Sequence, residues 1–556
     1  MRQRIIIFIH ALSLCSYGAP AFADETLRHL QARQDALREQ LTPQVPDVRL
    51  IAPDSLTESG HPPVEAPCFV IHHVRIEGSS RLPQWVPLSS HANQVNGQCV
   101  GVRGLSLLVS RLQNVIDRHG WNTTRLLVPP QDLGQGELRL QIIPGLVGSV
   151  RLSADSDRYV RLWNTFPVRS GALLDMRGLE QGMENLQRPP TVDAQIRIEP
   201  GENPGTSDVI ITRHQSRLWR TGLSLDDAGQ QETGRYEGTA TLWLDNPLSF
   251  SDTFFLSGTH DLKFAGRKNS QSLSGYYAIP FGYWLWSISA SESDYTQTVA
   301  GYDADTQYRG TQKNIGMQVS RVLYRNESWK DTLSYDVLSR ASRQFINGTE
   351  TDVQRTTTSA WRTGLTHRHY IGSATLDAGI NWQRGTRWFG AQPVPGEEYG
   401  DATGLSKILS WNASLDMPFS FAGQTLRFST QYQRQMSATP LTSLEQFSIG
   451  NRWTVRGFDG ERTLSADNGW YSRNELGWQI PHSQQTLYLG MDYGAVSGNG
   501  TAFLPGRHLA GGVSGLRGTA GESGVSYDLF VGRPLSKPGG FKTSRVTTGF
   551  QLSWQY

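Results

Sequence analysis

The feature that most constrains this 556-residue sequence is the alternation of apolar and polar residues through its C-terminal part, from residue 216 to the end. The last run shows it on both faces, with Val546, Thr548, Phe550, Leu552, Trp554 and Tyr556 on one face and Arg545, Thr547, Gly549, Gln551, Ser553 and Gln555 on the other. Period-two alternation indicates a β-strand with one apolar and one polar face. Because no amphipathic helix interrupts these runs, this part is predicted to be all-β.

Two classes of fold share this alternation, a water-soluble β-sandwich and a membrane β-barrel. A helical membrane protein is excluded, because each of its spans needs about 20 consecutive apolar residues and only 37% of this chain is hydrophobic. The barrel is favoured because the runs are long and because Arg, Gln and Asp stay on the polar faces. Aromatic residues also gather near the ends of runs, as in a membrane-interface belt. Examples are Trp284, Trp286, Trp470 and Tyr471.

The length of the all-β part sets the number of strands. About 340 residues, at roughly 20 residues for a strand with its turn, predict about sixteen strands, with fourteen and eighteen left open. A chain that ends in an aromatic residue on an alternating strand is typical of bacterial outer-membrane barrels. The apolar face of that strand, Phe550, Leu552, Trp554 and Tyr556, is therefore expected to act as the C-terminal barrel signal.

The first residues predict a secretory signal peptide over 1–23. Arg2 and Arg4 precede an apolar stretch that is too short to span a bilayer, and the segment closes with Ala21-Phe22-Ala23, a small-residue cleavage pattern. The alternative is a buried core helix. A signal peptide places the mature chain in an exported, oxidising environment.

A helix is predicted over residues 24–41, which are rich in good helix formers and lack Gly and Pro. Leucines give it only a narrow apolar stripe, so it lies either in solvent or in a wet, polar cavity. Residues 42–67 hold six prolines without periodicity and predict an extended linker. Such a linker is long enough for the helix to reach into the barrel.

Two small α/β units in tandem are predicted over 68–145 and 146–215, since each combines short strands with one helical pattern. The first unit contains Cys68 and Cys99, the two thiols that remain once the signal peptide is removed. In an exported chain they favour one disulfide over two free buried thiols. We see no further ligands at metal-binding spacing near them.

Two short motifs interrupt the regular alternation. Residues 451–469 form an irregular stretch that contains Val455-Arg456-Gly457-Phe458, and a later strand reads Gly490-Met491-Asp492-Tyr493-Gly494, with Asp492 on its polar face. In this order the chain resembles the outer-membrane transporters of two-partner secretion, the hemolysin activation and secretion proteins. The resemblance covers the whole mature chain. It implies a membrane β-barrel of about sixteen antiparallel strands, preceded by a plug helix and two small α+β polypeptide-transport-associated (POTRA) domains.

The resemblance also implies roles for these motif residues. Val455, Arg456, Gly457 and Phe458 match the motif at the tip of the sixth external loop, and Asp492 matches the acidic residue that receives the loop arginine inside the barrel. Five alternating runs follow the loop: Trp470–Gln479, Thr486–Val496, Arg507–Leu516, Gly524–Val531 and Arg545–Tyr556. Eleven of sixteen strands would then precede it, which places the loop outside the cell.

The function that the resemblance implies is export of one large partner protein, such as a hemolysin, an adhesin or a contact-dependent inhibition toxin, across the outer membrane of a Gram-negative bacterium. The POTRA domains, in the periplasm, would bind the partner's N-terminal secretion domain by β-augmentation. If the partner is a hemolysin, the resemblance also allows a role in activating it during secretion. Further expected partners are the lipid bilayer and the barrel-assembly machinery, and the protein is expected to be a monomer. A net charge of +2 gives no argument for nucleic acid.

Three other functions compete with this one. The first is a barrel-insertion factor of the same superfamily, although such factors usually carry more POTRA domains and no plug helix. The second is a passive porin, which would not need about 190 residues ahead of its barrel. The third is an outer-membrane enzyme, but no nucleotide-binding or catalytic pattern is legible. We therefore expect no catalysis, no cofactor and no metal.

Overall fold

The computed structural model describes residues 25–50, 64–263, 268–299, 305–521 and 524–556. The predicted signal peptide, residues 1–23, lies outside the described residues, as do residue 24 of the predicted helix and residues 51–63 of the predicted linker. No helix in these ranges is long and apolar enough to cross a bilayer.

Within the described residues, sixteen long strands form a closed antiparallel barrel, in which each strand pairs with the next and the last pairs with the first. The strands are β1 Trp219–Asp226, β2 Glu237–Asp245, β3 Thr253–Asp261, β4 Asn269–Phe281, β5 Trp284–Val299, β6 Thr306–Arg325, β7 Trp329–Ile346, β8 Thr356–Ile371, β9 Ala374–Thr386, β10 Lys407–Phe421, β11 Gln424–Ser437, β12 Asn468–Gln479, β13 Gln485–Ser497, β14 His508–Thr519, β15 Val525–Ser536 and β16 Thr547–Gln555. The predicted barrel class and strand number are confirmed.

The expected alternation decides which side chains face out. On β13, Leu487, Leu489 and Met491 are exposed on the outer face, whereas Tyr488 and Asp492 are buried on the inner face. The five strands described after the irregular loop correspond to the five predicted runs. Four of them are longer than predicted, and β16 is shorter. The largest extension is in β15, which continues beyond Val531 to Ser536 by pairing with the start of β14.

The barrel has two different ends. Strand β1 begins next to the N-terminal units, so we call that end proximal and the opposite end distal. Proximal connections between strands are short, and distal loops include the long ones over 387–406 and 438–467. We call the latter loop 6, since it is the sixth distal connection. The distal loops, loop 6 included, also contain short elements: Thr349–Glu350, Phe447–Ile449 and Leu464–Ala466 as strands, and Asp352–Gln354, Trp388–Gly390, Glu397–Tyr399 and Thr501–Phe503 as 3₁₀ turns.

The first N-terminal unit packs one long helix, Val102–Arg118, on a three-stranded sheet. In that sheet Glu137–Ile143 lies between the parallel strand His73–Glu77 and the antiparallel strand Arg125–Leu127. The remaining elements are the strands Phe69–Val70 and Cys99–Val100, the helix Leu88–Ala92, and the 3₁₀ turns Ser79–Arg81, Asn93–Val95 and Leu133–Gln135. The core forms because helix residues spaced by four, Leu108, Leu112 and Ile116, face the sheet.

A disulfide and a set of hydrogen bonds stabilise the N-terminal edge of this unit. Cys68 and Cys99 are joined in a disulfide, as predicted. The carboxylate of Glu65 accepts hydrogen bonds from the backbone N–H groups of Gly101, Arg103 and Gly104 at 2.7–3.0 Å. These amides belong to the first turn of the long helix, where they have no partner within the helix. These hydrogen bonds lower the pKa of the Glu65 carboxyl, and the one from Gly104 has the largest effect.

The second N-terminal unit repeats the plan. Strand Thr206–Gln215 lies between the parallel strand Leu146–Leu152 and the antiparallel strand Val192–Pro200, and the helices are Leu162–Thr165 and Met176–Leu186. Asp175 caps the second helix by accepting a hydrogen bond from the N–H of Arg177. Every residue of that helix is buried, although only one of its faces is apolar. Its polar face is covered because it contacts the proximal end of the barrel.

Candidate functional site inside the barrel

Loop 6 folds back into the distal half of the lumen around an apolar core of its own. Its two short strands pair with each other, and they pack with inward-facing residues of neighbouring strands and of the last distal loop. The buried members of this cluster are Phe447, Ile449, Val455, Phe458, Leu464, Ala466, Val496, Leu509 and Phe541. The loop therefore has one fixed position in this structure.

Arg456 at the tip of loop 6 contacts Asp492 on β13. Its Nε donates to Asp492 Oδ2 at 2.7 Å, its Nη2 donates to Oδ1 at 3.0 Å, and its backbone N–H also donates to Oδ2 at 3.0 Å. Asp492 is 1% exposed. A guanidinium and a carboxylate joined by two parallel hydrogen bonds are fixed in orientation as well as in distance. A Cβ added to Gly490 would lie 2.5 Å from Arg456 Nη2, so a side chain there would collide with the pair.

Glu475 on β12 is a second carboxylate partner that the sequence analysis missed. Arg456 Nη1 donates to Glu475 Oε2 at 2.6 Å, and Arg517 on β14 donates to the other oxygen of Glu475. Two arginines and two carboxylates thus alternate, from Arg517 through Glu475 and Arg456 to Asp492. The sequence offered one indication of this partner, because Glu475 lies with Arg473 on the polar face of β12, which points inward.

Gly457 and Phe458 of the motif fit the loop tip sterically. Gly457 has φ +94°, and a Cβ there would lie 2.5 Å from the carbonyl oxygen of Arg533. Both facts require glycine. Phe458 is buried with its ring edge-on to Phe541 at 5.9 Å between centroids. It therefore packs against the last distal loop.

The N-terminal helix, residues 25–41, lies inside the lumen. At 1.5 Å per residue its length is about 25 Å, which matches the height of the apolar band of an outer-membrane barrel. Near its N-terminal end Glu25 accepts a hydrogen bond from the N–H of Thr463 in loop 6, and the ring of His29 lies 5.2 Å from that of Trp453. At its C-terminal end the carbonyl of Leu41 accepts from Trp243 on β2. The helix thus spans the barrel from distal to proximal end.

Arg33 fastens the middle of this helix to the wall. It donates two hydrogen bonds to Asp226 on β1, at 3.1 and 3.0 Å, and also forms an ion pair with Glu237 on β2. Arg33 is 3% exposed. Arg38, one turn later, is exposed and pairs with Asp35 of the same helix. The rotation of the helix therefore selects Arg33 as the wall contact.

The apolar stripe of the helix is shorter than the sequence suggests. Leu27 and Leu30 are buried against Tyr295 of β5 and Leu444 of loop 6, whereas Leu37 and Leu41 are half-buried. The remaining surroundings are polar. Gln34, for example, donates to the hydroxyl of Ser272 on β4 at 2.5 Å. Of the two surroundings left open by the sequence, the helix occupies the polar cavity.

Residues 42–50 leave the helix at the proximal mouth, where they contact strand ends and the second unit. Asp47 pairs with Lys330 and Arg368, at 3.4 and 3.1 Å. Arg325 at the end of β6 donates to the carbonyl of Val48 at 3.1 Å. The N–H of Leu50 donates to Glu180 of the second unit.

The C-terminal strand closes the barrel. In the described residues it pairs with β1 from Gln551 opposite Asp226 to Gln555 opposite Gly222. The predicted signal residues lie along its outer face, with Leu552, Trp554 and Tyr556 exposed and Phe550 half-buried. Tyr556 lies 5.9 Å from the ring of Trp219, so these aromatics mark the proximal end of the seam.

Sequence families match three parts of the chain. The family described as haemolysin secretion/activation protein ShlB/FhaC/HecB matches residues 205–518. A POTRA domain of ShlB type matches residues 69–145, and a POTRA domain matches residues 146–200. The first range runs from the last strand of the second unit through β14 of the barrel, and the other two ranges correspond to the two N-terminal units.

Individual relatives match over nearly the whole length. The chain is 35% identical to outer membrane transporter CdiB-2 of Burkholderia pseudomallei, over 96% of this chain and 94% of the relative. It is 28% identical to outer membrane transporter CdiB of Dickeya dadantii, over 89% and 88%. The solved structure of CdiB from Escherichia coli superposes with a TM-score of 0.84 at 25% identity, over 96% of this chain and 98% of that one. With its barrel in the outer membrane and its POTRA domains on the periplasmic side, the chain belongs to the haemolysin secretion/activation family of two-partner secretion transporters.

Proposed function

We propose that this protein exports one large partner protein through its own barrel, and that the structure described here is the closed, resting state. The observation that carries this proposal is the helix 25–41, which lies along the lumen in contact with β1, β2 and loop 6 and yet is joined to the periplasmic domains by a linker. A helix held in a pore by side-chain contacts can leave without any change in the barrel itself. The relatives that match over the whole chain are outer-membrane transporters, which supports the same function.

The helix acts as the plug. An unfolded chain cannot share the lumen with it, since the helix contacts both loop 6 and the opposite strands β1 and β2. Its polar circumference allows it to move into the periplasm without exposing a large apolar surface. Residues 42–67 would keep it attached, because 26 extended residues span up to roughly 85 Å.

Recognition of the partner takes place on the POTRA domains. In the second domain Val192–Pro200 is an edge strand, and its last four residues are exposed. An exposed edge accepts an extended segment through main-chain hydrogen bonds. The partner's N-terminal secretion domain would supply that segment. Its approach to the proximal mouth would then deliver the chain to the pore.

Loop 6 sets the width of the passage that remains once the helix has left the lumen. The Arg456–Asp492–Glu475 cluster holds its tip at one depth, and Val455 and Phe458 bury its apolar core. We propose that the motif residues act as a structural latch and not as catalytic groups. The energy for transport would come from folding of the partner outside the cell, so the protein needs no enzymatic activity and no cofactor.

The export function is tested by expressing the chain together with its secreted partner in a host that lacks both. Full-length protein should place the partner in the medium, and a variant without the first POTRA domain should leave it in the periplasm although the barrel still inserts. Equal export by both proteins would contradict partner capture by the POTRA domains. The alternative, a barrel-insertion factor, predicts a change in the amounts of other outer-membrane proteins, which we do not expect. The protein is expected to act as a monomer that the barrel-assembly machinery inserts.

A further inference from the structure

A short helix of the second POTRA domain, Leu162–Thr165, is fastened to the rim of the barrel. The side-chain amide of Asn164 donates to two carbonyl oxygens, those of Phe250 at 2.9 Å and Pro280 at 3.0 Å. The carbonyl of Asn164 accepts from the N–H of Gly282 at 2.6 Å. Phe250 and Gly282 lie in the proximal turns β2–β3 and β4–β5, and Pro280 lies at the proximal end of β4. The residues of this helix are therefore fixed relative to the barrel wall.

Trp163 on this helix is the exposed residue that those contacts position. Its indole is 59% exposed. It lies edge-on to Phe281 at 5.7 Å and to Phe250 at 6.1 Å. Phe281 is on the outer face of β4, at its proximal end. Trp163 thus sits beside the lipid-facing surface, on the side of the rim that the lumen does not reach.

Phe281, which Trp163 contacts, belongs to the proximal aromatic and apolar belt of the barrel. The residues of this belt are exposed and lie at proximal strand ends or turns: Trp219, Leu248, Phe281, Trp284 and Tyr556. Tryptophan and tyrosine prefer the headgroup level of a bilayer, since their rings are apolar and their N–H or O–H groups stay hydrated. Trp163 continues this belt from the barrel onto a periplasmic domain.

We propose that Trp163 inserts into the periplasmic leaflet of the outer membrane and anchors the second POTRA domain on phospholipid. The indole would lie in the headgroup region of that leaflet, because it packs against Phe281 on the outer, lipid-facing surface of the barrel. Exposed Arg161 immediately precedes the helix and places a cation where headgroup phosphates lie. The anchor would fix the tilt of the domain and keep the edge strand Val192–Pro200 at the mouth of the pore.

The proposal is tested on the full-length protein, labelled with 5-fluorotryptophan and placed in phosphatidylcholine nanodiscs. The fluorine resonances of three tryptophans are assigned from the signals lost in Trp163→Phe, Trp284→Phe and Trp85→Phe. Trp284 is the lipid-facing reference. Trp85, on the first POTRA domain and 65% exposed, is the matched control away from the rim. A phospholipid that carries a nitroxide near its headgroup is then added to the discs.

The nitroxide should broaden the resonances of Trp163 and Trp284 severalfold and leave that of Trp85 unchanged. A Trp163 line as narrow as that of Trp85, with Trp284 broadened, would overturn the proposal. The measurement is repeated with phosphatidylglycerol added to the discs. Broadening in both lipids supports insertion of the indole, whereas broadening that requires the anionic lipid would assign the contact to Arg161 and refute Trp163 as the anchor.

Discussion

Replacing Arg33 by alanine is expected to release the N-terminal helix from the lumen. Arg33 is the buried cation that pairs with both Asp226 and Glu237. Without the guanidinium, two carboxylates remain close together beneath the helix. The penalty falls on the seated helix, since both carboxylates are hydrated once it has left.

The size of the effect follows from the burial of this cluster. Removing one partner of a buried ion pair costs about 3–5 kcal/mol. Each 1.4 kcal/mol changes an equilibrium tenfold, so the ratio of occupied to empty lumen should fall by roughly 100- to 4,000-fold. A barrel that is closed almost all the time in the native protein would then spend a measurable fraction of its time open.

Single-channel recording in planar bilayers measures this fraction directly. Arg33→Ala should show long-lived, high-conductance openings like those of a variant that lacks residues 25–41. The matched control is Arg38→Ala, which removes an exposed arginine of the same helix and should leave the conductance unchanged. Glu237→Gln in the Arg33→Ala background should partly restore closure, because it removes one of the two uncompensated charges.

Two results would refute this reasoning. If Arg33→Ala conducts like the native protein, the helix is held by contacts other than this ion pair. If Arg38→Ala opens the channel as strongly, the loss reflects helix stability in general and not the contact with β1 and β2.

Three further predictions concern the latch and the disulfide. Arg456→Ala and Asp492→Ala should each reduce secretion strongly while the barrel still inserts. The double variant should be little worse than Arg456→Ala alone, because that change already removes the contact with Asp492 together with the contact with Glu475; additive losses in a secretion assay would contradict this. Gly457→Ala should displace the tip of loop 6 and reduce secretion, whereas Gly460→Ala, also at positive φ but with its nearest neighbour 3.8 Å from the added Cβ, should have a smaller effect in the same assay. Cys99→Ser should destabilise the first POTRA domain by about 3.5–4 kcal/mol on the chain-entropy account, seen as its earlier thermal unfolding, without preventing barrel insertion.

Alternation was sufficient to predict the barrel because it is a local property. A strand of about ten residues that faces lipid on one side must alternate, whatever strand lies next to it. The outer face of β13 could therefore be read from Leu487, Leu489 and Met491 alone. The same reasoning indicated that Asp492 points inward, and the motif supplied Arg456.

Glu475 could not be predicted in this way, because its role depends on the register between strands. Arg473 and Glu475 both point inward from β12, and alternation treats them alike. The pairing places Arg473 opposite Asp492 and Glu475 opposite Gly490, which brings the Glu475 carboxylate to the far side of the guanidinium of Arg456. For the same reason, the sequence could not predict that Arg33 and not Arg38 contacts the wall, since the partners of a polar helix in a polar lumen determine its rotation about its own axis.

The helix Met176–Leu186 shows how far this dependence on partners extends. Only one of its faces is apolar, yet Glu180 and Glu184 are buried, because Arg325 and Lys330 at the proximal ends of β6 and β7 pair with them. Those cations belong to a domain more than 100 positions away in sequence, so no local pattern reveals the contact. Arg325 also donates to the linker at Val48, and Glu180 accepts from Leu50. Arg325 and Glu180 thus take part both in docking the second POTRA domain on the barrel and in holding the linker of the N-terminal helix, which physically joins the partner-binding domain to the element that lies in the pore.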